Sequence, residues 1–176
     1  NEYYPWRSGR SIWCGFHHGS IAGIGNLGIC DLYRLPLNAY YAYRKKNLDI
    51  EIPKQSVKDK PYSLKLTADK KEISTDGTDD TMLTCEVINK NGERVQGDFE
   101  ITFEVTSGAL MLPTGKKMLF NEQLNNCFDG MRAIEARAYY SGKSTVLAKC
   151  GNLTSNEIAI TALGTEEYSN QNIQYI

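Results

Sequence analysis

The run Leu83-Thr84-Cys85-Glu86-Val87 decides the fold, together with Ile101-Thr102-Phe103-Glu104-Val105-Thr106, which follows the Asn91-Gly92 turn. Apolar and polar residues alternate in both. Successive side chains of a strand point to opposite faces, so each run turns one face to a core and the other to water. Leu64, Leu66 and Ala68 repeat the pattern against Lys65 and Thr67, and Asp76-Gly77 supplies the turn that follows. Further strands are expected from Ala133 to Tyr140, Thr145 to Cys150 and Glu157 to Leu163, separated by Ser141-Gly142 and Gly151-Asn152. Six or seven short strands without a good helical stretch among them predict an immunoglobulin-like antiparallel β-sandwich from about Pro61 to Leu163. Leu83, Cys85, Val87, Ile101, Phe103, Val105, Val146 and Ala148 are expected to point inward.

The residues before the sandwich have another texture. From Asn1 to about Ile52 the chain is rich in aromatics and glycine, with a strand-like run from Ile12 to His17, a glycine-dotted loop and a helix expected to begin near Pro36. Proline suits a first helical turn, where its missing N–H is not needed. Leu37, Tyr40, Tyr41 and Arg44 would share one face of that helix. One strand-loop-helix unit cannot close a core by itself. Pro53 to Pro61 is polar and bracketed by prolines, the texture of a linker. The expected organisation is therefore residues 1–52, a linker at 53–61, the sandwich at 62–164 and a tail at 165–176.

Bulk properties exclude some functions. The chain of 176 residues carries a formal net charge of −1, with 41% hydrophobic and 23% charged residues. The pairs Lys45-Lys46, Lys70-Lys71 and Lys116-Lys117 are scattered and form no basic stripe, so nucleic acid is not expected as a partner. No run of about 18 apolar residues is present, so no membrane span is expected. The first residue is Asn1, and the chain reads as a piece of something longer.

Cys14, Cys30, Cys85, Cys127 and Cys150 are odd in number and irregularly spaced, unlike a disulfide framework. Cys85 and Cys150 lie on the inward phase of strands that could face each other, which leaves a bridge open. The absence of a core tryptophan from the sandwich half and the place of Cys150 near a strand end favour free thiols.

Other combinations of residues lose to simpler readings. Gly23-Ile24-Gly25-Asn26-Leu27-Gly28 fits a dinucleotide-binding fingerprint, but Pro36 follows too soon for the required helix and no parallel α/β sheet surrounds it. Cys14, His17 and His18 are zinc-ligand types, yet adjacent strand residues diverge, so no metal site is expected. Asp76, Asp79 and Asp80 could offer oxygens to calcium but fit turn chemistry as well. No cofactor is expected. Asn152-Leu153-Thr154 matches a glycosylation sequon that three residues produce readily by chance.

Ile12-Trp13-Cys14-Gly15-Phe16-His17-His18-Gly19, Gly28-Ile29-Cys30-Asp31, Arg34-Leu35-Pro36 and Ala39-Tyr40-Tyr41-Ala42-Tyr43 resemble the end of the catalytic barrel in glycoside hydrolase family 2, the β-galactosidase and β-glucuronidase family. The second half is similar to the bacterial immunoglobulin-like domain that follows such barrels, through Leu66-Thr67-Ala68-Asp69, Asp76-Gly77, Val87 to Gly92 and Phe128-Asp129-Gly130. The resemblance implies that residues 1–52 are the last strand-loop-helix of a (β/α)8 barrel. It also implies a retaining glycosidase with two carboxylates about 5 Å apart, acting on a carbohydrate substrate. Both carboxylates are expected on earlier barrel strands, before Asn1, so this chain is expected to hold no catalytic residue.

Trp13 falls on the family's tryptophan at the end of the last barrel strand, which makes it the candidate sugar platform. His17 is the second candidate substrate contact. Here the chain has His17-His18 where the family often has Asp-Tyr, so the family's polar contacts do not transfer. The resemblance further implies a periplasmic or secreted enzyme. Without the rest of a barrel, Trp6, Trp13, Phe16, Tyr40 and Tyr41 would favour a homodimer. An autonomous carbohydrate-binding module and an invasin-like adhesion domain are the alternative functions; the first lacks a tryptophan in the sandwich half, and the second leaves residues 1–52 unexplained.

Overall fold

The computed structural model describes residues 11–17, 27–31, 34–97, 99–113, 117–118 and 130–164. Expectations for Trp6, His18, residues 19–26, Cys127, Phe128-Asp129 and the tail at 165–176 lie outside them. The chain divides into two compact units, Asn1–Pro53 and Lys54–Ile176.

The second unit is a two-sheet β structure. Strands β1 (Ser63–Ala68), β3 (Thr81–Ile88) and β6 (Met131–Ala136) form one antiparallel sheet in the order β1-β3-β6. The other sheet runs β2 (Glu72–Ser74), β9 (Ile158–Leu163), β7 (Gly142–Cys150), β4 (Ile101–Ser107), β5 (Lys117–Met118), with β8 (Leu153–Thr154) hairpinned onto β7. Alternation in the sequence becomes alternation in burial. Along β3, Thr81, Leu83, Cys85 and Val87 are buried, while Met82, Thr84, Glu86 and Ile88 are half-buried. The buried four lie beside Leu64 and Leu66 on their own sheet's inner face, and Ile101, Phe103, Val146, Ala148 and Ile160 are buried residues of the other sheet.

Three details depart from the expected strands. Val105, expected inward, is half-buried, because the register of β4 against β7 shifts between Val105 and Ser107 and a bulge breaks the alternation there. The strand expected from Ala133 to Tyr140 stops at Ala136: Arg137 pairs with Met111, and the chain leaves the three-stranded sheet for the other one. Finally, β2 pairs with β9 in parallel, so the sandwich is not wholly antiparallel.

Gly108 closes the turn after β4 with φ +81°, and a Cβ there would sit 2.3 Å from Ser144 Oγ and 2.7 Å from the Lys143 carbonyl oxygen. Only glycine fits. The segment read as a linker is tied to the sandwich. Val57 N–H donates to the Arg94 carbonyl at 2.8 Å, Gln96 N–H donates to the Val57 carbonyl at 2.9 Å, and the Asp59 carboxylate accepts Asn89 Nδ2 at 2.8 Å. Two ladder bonds suffice to extend the sheet structure into it at Val57.

In the first unit the helix α1 spans Asn38–Leu48. Pro36 stands before it rather than in its first turn, bridged to Cys30, and extended Leu37 takes the N-cap position without a side-chain bond. None of the α1 residues is buried; Tyr40, Tyr41 and Arg44 are half-buried and Leu37 lies at the cap. Tyr40 and Tyr41 meet edge to face at 5.5 Å, and the Arg44 guanidinium lies 5.6 Å from the Tyr40 ring centre. Asp49 ends the helix in the left-handed conformation.

Candidate functional site

The expected strand from Ile12 to His17 is not a regular strand. Its backbone bonds only residues 27–30 among those described: Cys14 N–H to Leu27 O at 3.3 Å, Ile29 N–H to Cys14 O at 3.3 Å, Cys30 N–H to Gly15 O and His17 N–H to Cys30 O, both at 2.9 Å. A ladder needs partners to hold its pleat, and one neighbour gives a single parallel bridge, Phe16 with Cys30. Gly28 lets the two segments meet. A Cβ on it would lie 2.2 Å from the Phe16 carbonyl carbon and 2.3 Å from His17 N. This close approach is the part of the glycine-dotted stretch that the structure explains.

Trp13 is 78% exposed, with Ile12, Phe16 and Leu27 also exposed in this unit. His17 is buried, and its Nδ1 accepts the Gly28 N–H at 3.0 Å. The proton of the neutral ring therefore sits on Nε2, which is buried and has no hydrogen-bond partner among the described residues. Burial lowers the His17 pKa, which keeps the ring neutral and preserves the Gly28 bond. The two residues thus sit in different environments, Trp13 in solvent and His17 in the interior.

Two neighbours were given no individual role by the sequence reading. Asp31 is buried, and its Oδ1 accepts the Leu35 N–H at 2.6 Å while its own N–H donates to the Leu35 carbonyl at 2.9 Å, closing the loop that leads to α1. An aspartate four residues before a leucine carries no strong signal, although Asx-type bonding to nearby N–H groups is its habit. Cys30 is buried beside it; burial first, then the Asp31 charge, raises its thiol pKa.

In the sandwich the acidic loop follows turn chemistry. Asp76 Oδ1 accepts the Thr78 N–H at 2.9 Å and its hydroxyl at 2.7 Å, Asp79 accepts the Ser74 N–H at 3.1 Å and pairs with Lys70, and Asp80 is forked by Arg137 at 2.6 and 2.9 Å. These bonds hold all three carboxyls below the usual carboxylate range. No group of three metal-ligating side chains assembles among the described residues. A polar groove of about 340 Å³ lies between Gly108-Ala109 and Tyr140 to Ser144, where Ser144 Oγ accepts the N–H groups of Ala109 and Leu110 at 3.1 Å each.

Residues 64–159 match the family described as glycoside hydrolase family 2 C-terminal domain 5. No curated protein matches the chain. Among solved structures, a β-glycosidase from Bacteroides vulgatus shares the fold at a TM-score of 0.59, with 15% identity, over 78% of this chain and 28% of that one. A glycosyl hydrolase family 2 member from Bacteroides cellulosilyticus aligns at a TM-score of 0.47 and 24% identity, over 61% of this chain and 15% of that one. The D00-D0 domain of Intimin aligns at 0.43 and 23%, over 60% of this chain and 50% of that one. This chain therefore spans a small part of the length of either glycosidase.

Proposed function

The chain belongs to the family described as glycoside hydrolase family 2 C-terminal domain 5, and we propose from this that it is a non-catalytic accessory part of a larger retaining glycoside hydrolase. The observation that carries the reading is the coincidence of match and fold: the matched residues begin in β1 and end in β9, enclosing the sandwich. Retaining hydrolysis asks for two carboxylates about 5 Å apart across a sugar.

In the intact enzyme, Trp13 serves as the stacking platform for the substrate's sugar ring, while the buried His17 ties its own segment to Gly28. The exposed Ile12, Trp13, Phe16 and Leu27 would otherwise drive the separate chain to a homodimer, which light scattering would register; a monodisperse monomer is the contrary result.

The purified chain is expected to show no turnover of aryl glycosides. In the full-length parent, Trp13→Ala removes a stacking surface of about 1–3 kcal/mol, or roughly 5- to 150-fold in kcat/KM. Turnover by the chain alone would overturn the accessory reading. An unchanged full-length variant would overturn only the platform role.

A further inference from the structure

Cys85 and Cys150 are both free thiols, and they come from different sheets. Each sits on the inward phase of its strand. Cys85 follows the buried positions of β3 and is itself fully buried, while Cys150 continues the buried series Ser144, Val146, Ala148 to the half-buried end of β7.

The sheets are stitched together at this end. The Asn156 side chain bonds both backbone groups of Leu66, accepting its N–H at 3.0 Å and donating to its carbonyl at 3.1 Å; Leu66 is the register partner of Cys85. Ser155, next to Asn156, bridges Leu64 on one side and on the other bonds Ala148 through its N–H and its Oγ, both at 2.9 Å. Between Ala148 and Ser155 the chain makes only the β7-β8 hairpin, in which Cys150 pairs with Leu153. The partner of Cys85 and the hairpin that carries Cys150 are therefore held by the same two residues.

We propose that Cys85 and Cys150 form a redox-active pair that closes into a disulfide between the two sheets when the chain meets a small-molecule disulfide. A bridge needs Cα atoms about 4.4–6.8 Å apart, and the Ser155-Asn156 stitch ties the register partner of Cys85 to the hairpin that carries Cys150.

The order of events follows from their surroundings. Burial pushes the Cys85 thiol up to about 12, with the Cys150 charge as the second cause. Cys150 is also raised, by burial and then by Glu100, but Arg132 acts in the other direction. Cys150 is the less buried thiol and meets the small disulfide first. Its thiolate attacks one sulfur of the small disulfide and expels a thiolate, which takes up the proton that Cys150 lost. Cys85 then gives up its proton, attacks the Cys150 sulfur of the mixed disulfide and expels the second small thiol. Two protein thiols and one small disulfide become one protein disulfide and two small thiols, with electrons balanced.

The test uses the whole reduced chain, incubated with oxidised glutathione, then quenched, denatured and assayed for thiols. Two of the five thiols are expected to disappear, the mass to fall by two hydrogens, and peptide mapping to join Cys85 to Cys150. The rate should rise with pH, since both steps require thiolate. Cys150→Ser should retain all its remaining thiols. Five thiols surviving in the unmutated chain, or a bridge mapped to other cysteines, would overturn the proposal. Because the mapping is done on the unmutated chain, the result does not depend on a variant that folds.

Discussion

Phe103→Ala tests the assignment of faces more sharply than any other change in the sandwich. Phe103 is fully buried on β4 and lies directly opposite Ala148 on β7, which is fully buried too. The ring fills space that its small cross-strand partner leaves open. Truncation opens a cavity whose walls cannot close, because β4 is held by ladder bonds to β5 on one side and β7 on the other. The cost should therefore reach the range for buried aromatic truncation, about 4 kcal/mol. For a domain of this size that lowers Tm by roughly 16–32 °C. Glu104→Ala is the control: its side chain is 44% exposed, paired with Lys149, and belongs to the outer face of the same strand. A solvent-exposed pair contributes about 0–1 kcal/mol, so its loss should move Tm little. Thermal unfolding followed by circular dichroism compares the two. Equal small shifts, or a larger shift for Glu104→Ala, would refute the face assignment.

Acid should weaken the sandwich with a definite sign. Asp59, Asp76, Asp79 and Asp80 all have folded pKa values below their ordinary ones, through hydrogen bonds from Lys60, Thr78, Lys70 and Arg137 respectively. Their contribution is present above the unfolded carboxylate pKa of about 3.9 and is lost as pH falls through the depressed folded values. Tm measured from neutral pH downward should hold steady and then fall below about pH 4; a Tm unchanged in that window would contradict these assignments. In the first unit, Gly28→Ala should break the pairing of residues 14–17 with 27–30, since its Cβ would meet the Phe16 and His17 backbone. Hydrogen exchange at the Cys30 amide, which is bonded to Gly15, should accelerate at least tenfold, and unchanged protection would count against that packing.

The sandwich was legible wherever one strand buries one face, because a period of two is then imposed by the core itself. Leu83, Cys85 and Val87 show this, as do Ile101 and Phe103. Legibility ended where backbone geometry overrides the pattern. Val105 keeps its place in the alternating sequence, but the β4 bulge turns it partly away. Arg137 to Tyr140 continue a plausible strand in composition, yet the chain is switching sheets there. The three residues of β2 are too few to show a period, and their parallel pairing with β9 depends on a contact distant in sequence. Pro36 misled by two residues, since a proline also suits the extended approach to a helix.

Trp13 and His17 show why the candidate site was only half readable. Four residues apart on a regular strand they would share a face. The structure has one of them 78% exposed and the other buried, because the segment between them follows the close contact at Gly28 and, among the described residues, bonds only residues 27–30. Periodicity speaks only for a chain whose ladder is complete on both sides. Trp13 was singled out by local resemblance, which does not depend on a complete ladder. The environment of His17 depends on Gly28 N–H reaching its Nδ1 across eleven residues, a contact with no local signature.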